Sequence, residues 1–222
     1  MKSINNYIEH TLLKPDATES DIERIIKEAK KYSFFGICIN PNYVEFAHNL
    51  LKDTSIQLVT VVNFPLANNT ADMTKYQIER ILSFGADEVD TVINISALKN
   101  KDYKKVEQDL IITRQASEGH NLKVILETDL LTKEEIKIAS DISAQIGANF
   151  VKTSTGFVKG GIGAQIEDVK LMKQTVKPYG LGVKASGGIK NYNQAINLIN
   201  AGADRLGTSS GVDIMLGEVQ NV

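Results

Sequence analysis

The chain has 222 residues, of which 42% are hydrophobic and 23% are charged, and its formal net charge is -2. A nucleic-acid or anionic-membrane partner would favour a basic surplus, so this balance argues against both. The single cysteine, Cys38, excludes an intrachain disulfide and indicates a reducing compartment. The first residues lack the apolar core of a signal peptide, and no run approaches ~18 apolar residues. We therefore expect a soluble cytoplasmic protein with no membrane association.

Short apolar segments alternate along the chain with segments whose apolar residues fall at helical spacing, for example Ile22, Ile25, Ile26 and Ala29. The predicted strands, in chain order, are Tyr7 to Leu13, Phe35 to Ile39, Gln57 to Val62, Glu88 to Ile93, Leu122 to Leu126, Phe150 to Lys152, Gly182 to Lys184 and Arg205 to Gly207. A helix is predicted after each strand. Two of these helices begin with capping-box pairs, Thr18 with Asp21 and Thr132 with Glu135.

Eight strand–helix units of roughly 25–30 residues predict a parallel sheet covered by helices. The fold class is therefore α/β, and the expected architecture is a closed (β/α)8 TIM barrel that forms a single domain over residues 1–222. A doubly wound open sheet is the alternative. It is weakened by the lack of a Gly-x-Gly-x-x-Gly turn after the first strand.

A weak internal repeat relates three of the strands. The segments Gly85 to Asp90, Gly147 to Lys152 and Gly202 to Gly207 each begin with a glycine and an alanine and continue into a strand. The glycine suits a left-handed helix end, and the alanine suits close packing of helix on sheet. The residue five positions after each glycine is then expected to face the barrel interior in all three strands.

Two lysines end neighbouring predicted strands, and each follows a valine. Lys152 and Lys184 would face each other across strands six and seven, with Asp90 on the interior two strands away. Two unit charges ~4 Å apart interact by about 4 kcal/mol at an effective dielectric near 20. We expect this repulsion to depress one lysine pKa and give a neutral amine able to form a Schiff base with a carbonyl. One carboxylate among two amines would leave the site net positive.

The spacing alone does not decide which lysine is the nucleophile, because the two positions are equivalent. The same three residues also have a purely structural interpretation. A strand-end lysine can extend its ammonium to water, and three strand-end charges can satisfy one another in a polar barrel layer.

Glycine and serine residues follow the last two predicted strands, where barrels of this type often bind phosphate through backbone N–H groups. Gly187 and Gly188 follow strand seven, Gly207 is the last residue of strand eight, and Ser209 and Ser210 lie just beyond it. Gly156, after Lys152, can join them. We expect these six residues to bind a phosphorylated small molecule.

The remaining polar candidates are given structural roles. His10 lies in the first strand with no obvious partner, and Cys38 is expected to be a small core residue. Glu127 either lines the pocket or caps the next helix, and we expect Asp129 to be a cap. The histidines and the cysteine form no cluster with metal-ligand spacing, so we expect no metal and no cofactor.

Five motifs resemble the deoxyribose-phosphate aldolase family in order along nearly the whole chain. They are Ile8 to Pro15, Gly85 to Asp90, Val151 to Phe157, Val183 to Ile189 and Gly207 to Gly211. The resemblance implies a class I aldolase on a (β/α)8 barrel that acts in deoxyribonucleoside catabolism. Such an enzyme reversibly cleaves 2-deoxy-D-ribose 5-phosphate to D-glyceraldehyde 3-phosphate and acetaldehyde.

The resemblance also implies a role for each of three catalytic residues. Lys152 forms the Schiff base. Lys184 perturbs the Lys152 nucleophile and supports proton transfer, and Asp90 donates or accepts protons. Four positions depart from the family pattern, and we expect none to touch these three residues: Glu9, Ala67, Gln77 and Lys190.

Two other functions remain open from the sequence. The first is a Schiff-base aldolase for another sugar phosphate, and the second is a non-catalytic phosphosugar-binding barrel. The sequence is compatible with a homo-oligomer, dimer or tetramer, and does not decide the oligomeric state.

Overall fold

The computed structural model describes residues 3–220 as a closed barrel of eight parallel strands. Each strand pairs with the next one in sequence, and β8 returns to β1 through the partners Ile8 and Leu206. The predicted (β/α)8 barrel is confirmed. The strands are β1 Ile8–Leu12, β2 Gly36–Ile39, β3 Gln57–Val62, β4 Glu88–Val92, β5 Asn121–Ile125, β6 Phe150–Lys152, β7 Gly182–Ser186 and β8 Arg205–Thr208.

Nine α-helices lie within the described residues, one more than predicted. They are α1 Glu19–Tyr32, α2 Val44–Leu51, α3 Ala71–Ser83, α4 Ile95–Lys99, α5 Tyr103–Ala116, α6 Lys133–Gln145, α7 Ile166–Val176, α8 Tyr192–Asn200 and α9 Gly211–Gln220. The additional helix is α4, which is too short for helical periodicity to reveal it. Both predicted capping boxes, at Thr18 and Thr132, are present.

The main apolar core lies between the barrel and its helices, and alternation along the strands decides which side chains enter it. Val151 and Val183 are fully buried in this core. Successive side chains on a strand point to opposite faces, so the neighbouring Lys152 and Lys184 point into the barrel. The two lysines therefore face the interior because the valines before them face the helices.

Different side chains occupy the two ends of the barrel. At the amino end, the Arg205 guanidinium lies 3.6 Å from the ring centroid of Phe35 and 5.6 Å from that of Phe150. Arg205 and Phe150 are the first residues of β8 and β6. Cation–π stacking thus packs these three side chains together at the amino end, while the loops at the carboxyl end form an open cleft.

The predicted glycine repeat has the expected backbone. Gly85, Gly147 and Gly202 follow α3, α6 and α8 with φ values of 98°, 78° and 114°. These conformations are readily available only to glycine, so each glycine ends its helix and turns the chain into the next strand. In the described part of the chain, no helix combines the length and apolar character that crossing a membrane requires.

Candidate active site

Asp90 lies at the centre of a buried charge cluster inside the barrel. Its Oδ2 accepts hydrogen bonds from Lys152 Nζ and Lys184 Nζ, both at 2.7 Å. Its Oδ1 accepts a third from Lys123 Nζ at 3.1 Å. A single carboxylate therefore contacts three lysine side chains, two of which are the predicted pair.

Strand register brings these side chains together. Lys152 and Lys184 are Cα partners in the β6–β7 pair, and Asp90 and Lys123 are partners in the β4–β5 pair. The interior position predicted for Gly207 is also present, because a Cβ added there would lie 3.0 Å from Lys184 Cε. Glycine at this position leaves room for the Lys184 side chain.

Three charged residues of the cluster were missed by the sequence prediction: Glu9, Glu88 and Lys123. The fully buried Lys123 Nζ lies 2.5 Å from Glu88 Oε2 and 3.5 Å from Glu9 Oε1. The Glu9 carboxylate also accepts a hydrogen bond from Lys184 Nζ. The expectation that Glu9 touches none of the catalytic candidates is therefore wrong.

The net charge expected at the site is also wrong. The cluster contains three carboxyl groups and three lysine side chains, so with every group counted as ionised its formal charge is zero rather than positive. A signal for one missed residue was present in the sequence, since Lys123 lies between the apolar Leu122 and Val124 in a predicted strand. Lys152 and Lys184 were recognised by a related pattern, a lysine directly after a valine at the end of a predicted strand.

The carboxylates decide the direction of the pKa shift at Lys184. Burial alone would lower its pKa, but Asp90 and Glu9 outweigh burial and raise it above the ordinary 10.5. Lys123 is similar: burial lowers its pKa, while Asp90 and Glu9 produce a net rise. Both lysines are thus held as ammonium ions. Of the predicted pair, Lys184 is consequently the poorer candidate for a neutral nucleophile.

Asp90 is held as a carboxylate by the same contacts. Burial would raise its pKa, but Lys123, Lys152 and Lys184 together hold it well below the usual 3.8. Asp90 can therefore accept a proton only transiently, during a reaction, rather than store one in the resting protein.

The cluster opens into a cleft of about 360 Å³ at the carboxyl ends of the strands. Its lining includes Lys152 and all six residues predicted to bind phosphate: Gly156, Gly187, Gly188, Gly207, Ser209 and Ser210. The exposed Lys14 and Lys190 also line it. The cleft thus combines an amine with two cations and glycine-rich backbone.

Gly187 and Gly188 are required by the local backbone. Their φ values are 87° and 75°, and a Cβ on Gly188 would lie 2.6 Å from the Ile162 carbonyl oxygen. The loop after β6 therefore packs directly on the loop after β7. Only glycine satisfies both the left-handed conformation and this close approach.

The missing partner of His10 and the helix cap expected at Asp129 both need correction. His10 has a partner, because its Nε2 lies 2.7 Å from Glu28 Oε2. Asp129 does not cap the next helix, whose cap is Thr132. Its two oxygens instead accept hydrogen bonds from Ile162 N and Gly163 N, each at 3.0 Å.

Cys38 is a core residue, as expected, and lies in an apolar cluster with Leu13, Val59 and Val61. Burial raises the pKa of its thiol. Among the described residues, no group of three or more His, Cys, Asp and Glu side chains is arranged to hold a metal ion.

A (β/α)8 barrel that brings a lysine, a shared carboxylate and glycine-rich loops into one cleft has the parts of a lysine-dependent lyase. Comparison with known proteins identifies the family within this class. The chain belongs to the DeoC/LacD family aldolases, whose family model matches residues 6–217.

Individual relatives agree with the family over almost the whole chain. The deoxyribose-phosphate aldolase of Lactococcus lactis is 50% identical over 218 residues, which are 98% of both chains. The solved structure of the aldolase QR15 has a TM-score of 0.93 at 36% identity and covers 100% of this chain and 98% of its own. The deoxyribose phosphate aldolase from Aeropyrum pernix, described as a tetramer, has a TM-score of 0.88 at 32% identity, with coverages of 99% and 92%.

Proposed function

We propose that the protein reversibly cleaves 2-deoxy-D-ribose 5-phosphate to D-glyceraldehyde 3-phosphate and acetaldehyde through a Schiff base on Lys152. One observation carries the proposal. Lys152 lines the cleft, and its Nζ shares Asp90 Oδ2 with a second lysine that is held as an ammonium. The nucleophile, a proton acceptor and a cation thus meet where a substrate can enter.

The reaction begins when the neutral Lys152 amine attacks C1 of the open-chain sugar phosphate. Loss of water gives a protonated imine, which acts as an electron sink. Removal of the C3 hydroxyl proton breaks the C2–C3 bond and releases glyceraldehyde 3-phosphate, and the bonding electrons form an enamine. Protonation of the enamine at C2 and hydrolysis release acetaldehyde and restore Lys152.

Asp90 and Lys184 move the protons in this scheme. The ionised Asp90 accepts the hydroxyl proton through a water molecule, and the ammonium of Lys184 keeps Asp90 ionised until that step. Lys184 also places a positive charge beside Lys152, because both amines contact the same oxygen of Asp90 at 2.7 Å.

The phosphate is held by the loops after β7 and β8. Gly187 and Gly188 expose backbone N–H groups, and Ser209 and Ser210 immediately precede the N-terminus of α9. Gly156 and Gly207 complete the wall, and Lys190 adds a point charge at the mouth. Holding the phosphate in this way makes the attack by Lys152 effectively intramolecular.

Borohydride trapping tests the nucleophile. Reduction in the presence of acetaldehyde is expected to add an ethyl group to Lys152, located by peptide mass spectrometry, and the matched variant Lys152→Met should remain unlabelled. A label on Lys184, or none in the wild type, contradicts the proposal. EDTA should leave turnover unchanged.

The two alternative functions predict different outcomes. An aldolase for a ketose phosphate would turn over that substrate faster than 2-deoxy-D-ribose 5-phosphate in a direct comparison. A non-catalytic barrel would show ligand-induced thermal stabilisation that survives in Lys152→Ala, with no turnover in the wild type.

The location and assembly of the protein belong to the same proposal. We place the enzyme in the cytoplasm, where its phosphorylated substrate would be retained, and propose a homo-oligomer, dimer or tetramer. Light scattering on the purified protein measures the assembly, and a monomer at micromolar concentration would contradict it.

A further inference from the structure

One buried carboxylate beside the cleft lies outside the Asp90 cluster. Glu127 follows β5 and is only 2% exposed. Its backbone angles are φ 62° and ψ 62°. This left-handed conformation is uncommon for a residue other than glycine and persists only where surrounding contacts impose it. The contacts of the Glu127 side chain therefore have to explain why glutamate occupies this position.

Both oxygens of Glu127 bind one residue, Thr155. Oε1 accepts a hydrogen bond from the Thr155 backbone N at 3.0 Å, and Oε2 accepts one from the Thr155 hydroxyl. That hydroxyl in turn accepts a hydrogen bond from Phe157 N at 3.1 Å. A single carboxylate thus fixes the backbone and side chain of Thr155 and, through it, the turn at residues 155–157.

This turn forms one wall of the cleft, because Thr155, Gly156 and Phe157 all line it together with Lys152. Backbone contacts hold the same two segments together nearer the barrel. Leu126 N donates to the Lys152 carbonyl oxygen at 2.9 Å, and Thr128 N donates to that of Thr153 at 2.9 Å. Glu127 therefore extends the β5–β6 pairing beyond the barrel rim to the cleft wall.

We propose that Glu127 is a positioning residue that fixes the Thr155–Phe157 wall so that the sugar phosphate lies with its C1 carbonyl toward Lys152. The inference rests on the proposed function. A five-carbon sugar phosphate spans the cleft and must meet this wall, whereas acetaldehyde bonded to Lys152 extends only two carbons from the amine. Glu127 therefore governs cleavage of the sugar phosphate and not imine formation with acetaldehyde.

The decisive variant is Glu127→Gln, which preserves shape and one acceptor but replaces the other oxygen with a donor. A wall displaced by about 1 Å lowers catalysis by up to about 100-fold, so we expect a 10- to 100-fold fall in kcat/KM for the sugar phosphate with a rise in KM. The rate of ethyl labelling at Lys152 should stay within about twofold of wild type. Equal losses in both assays, or no loss in either, would overturn the proposal.

The outcome separates the inference from the proposed function. Failure of the proposed function appears as absent labelling of Lys152 in the wild type. Failure of the inference appears when Glu127→Gln changes sugar-phosphate cleavage and Lys152 labelling by the same factor, while the wild type is labelled normally. If Glu127→Gln does not fold, Glu127→Gly removes the carboxylate while accommodating the left-handed backbone, and the same split between the two assays is expected.

Asp129→Asn is the matched control. Asp129 lies two residues further along and also holds the loop after β6, but at Ile162 and Gly163, and it does not line the cleft. We expect the fall in kcat/KM of Asp129→Asn to be smaller than that of Glu127→Gln, because Asp129 holds Ile162 and Gly163 rather than the Thr155–Phe157 wall. A loss equal to that of Glu127→Gln would assign the effect to general loop order and overturn the specific role of Glu127.

A double-mutant cycle tests whether Glu127 acts through Thr155. In a Thr155→Val background, the hydroxyl that binds Glu127 is gone, so adding Glu127→Gln should lower kcat/KM by less than it does in the wild type. Full additivity of the two losses would show that Glu127 acts by another route and would contradict the proposal.

Discussion

The two sides of the barrel interior differ in chemistry although they belong to one sheet. On the β2–β3 side, Cys38, Val59 and Val61 form a small apolar cluster. On the neighbouring strands, Glu88 is the register partner of Val59, and Asp90 is the partner of Val61. The boundary between a closely packed apolar region and a buried charge cluster therefore falls between β3 and β4.

This difference separates folding from function. Burial of valine contributes roughly 1.5–3 kcal/mol per side chain, whereas a buried ion pair often gives no net gain over an apolar pair of the same volume. The apolar side is thus explained by stability alone. The charged side needs another reason, which the proposed reaction at Lys152 supplies.

The largest expected effect is on the charged side. Asp90→Asn keeps the shape of the side chain but removes the proton acceptor, and we expect kcat to fall by about 10²–10⁴-fold. Steady-state turnover of 2-deoxy-D-ribose 5-phosphate measures this, with circular dichroism to verify folding. A folded Asp90→Asn variant with more than a tenth of wild-type kcat would rule out the role assigned to Asp90.

The next prediction concerns charge balance. Lys123→Met removes the ammonium group that contacts both Glu88 and Asp90, and removing one partner of a buried pair costs about 3–5 kcal/mol in the free energy of unfolding. Adding Glu88→Gln restores equal numbers of opposite charges and should recover part of this loss. Denaturant titration measures both variants. No recovery in the double variant would show that packing rather than charge is responsible.

On the apolar side, Val59→Ala removes two buried methyl groups. We expect a loss of about 2 kcal/mol in the free energy of unfolding from lost burial and the resulting cavity. Turnover should stay unchanged, because Val59 belongs to the apolar cluster and does not line the cleft. A large fall in kcat would mean that the two sides of the barrel are not independent.

The smallest effect is a difference in pH dependence between the two sides. The pKa of Asp90 is lower folded than unfolded, so its stabilising contribution is present above the usual 3.8 and is lost as pH falls through its folded value. Asp90→Asn should therefore have a shallower acid limb in a plot of unfolding free energy against pH. Val59→Ala should shift the whole curve downward without changing its slope, and parallel curves for all three proteins would contradict the assignment.

Much of the fold followed from local signals. The clearest strand, Gln57–Val62, has the predicted bounds, and both capping boxes and the three left-handed glycines occur where their residue types indicated. These features depend on a few adjacent residues and on strand alternation. Helix α4 was missed because five residues contain too little periodicity, and its Asn94 cap becomes informative only once the helix is known.

By itself, the sequence determined the barrel, the inward direction of Asp90, Lys152 and Lys184, and the glycine-rich loops at the cleft, because alternation and turn chemistry are local. Only the tertiary structure decided the electrostatics. It brought Glu9 from β1 and Lys123 from β5 to the same cluster, made the formal charge of that cluster zero and raised the pKa of Lys184. Charges far apart in sequence act on one another according to distance and burial, which barrel closure sets.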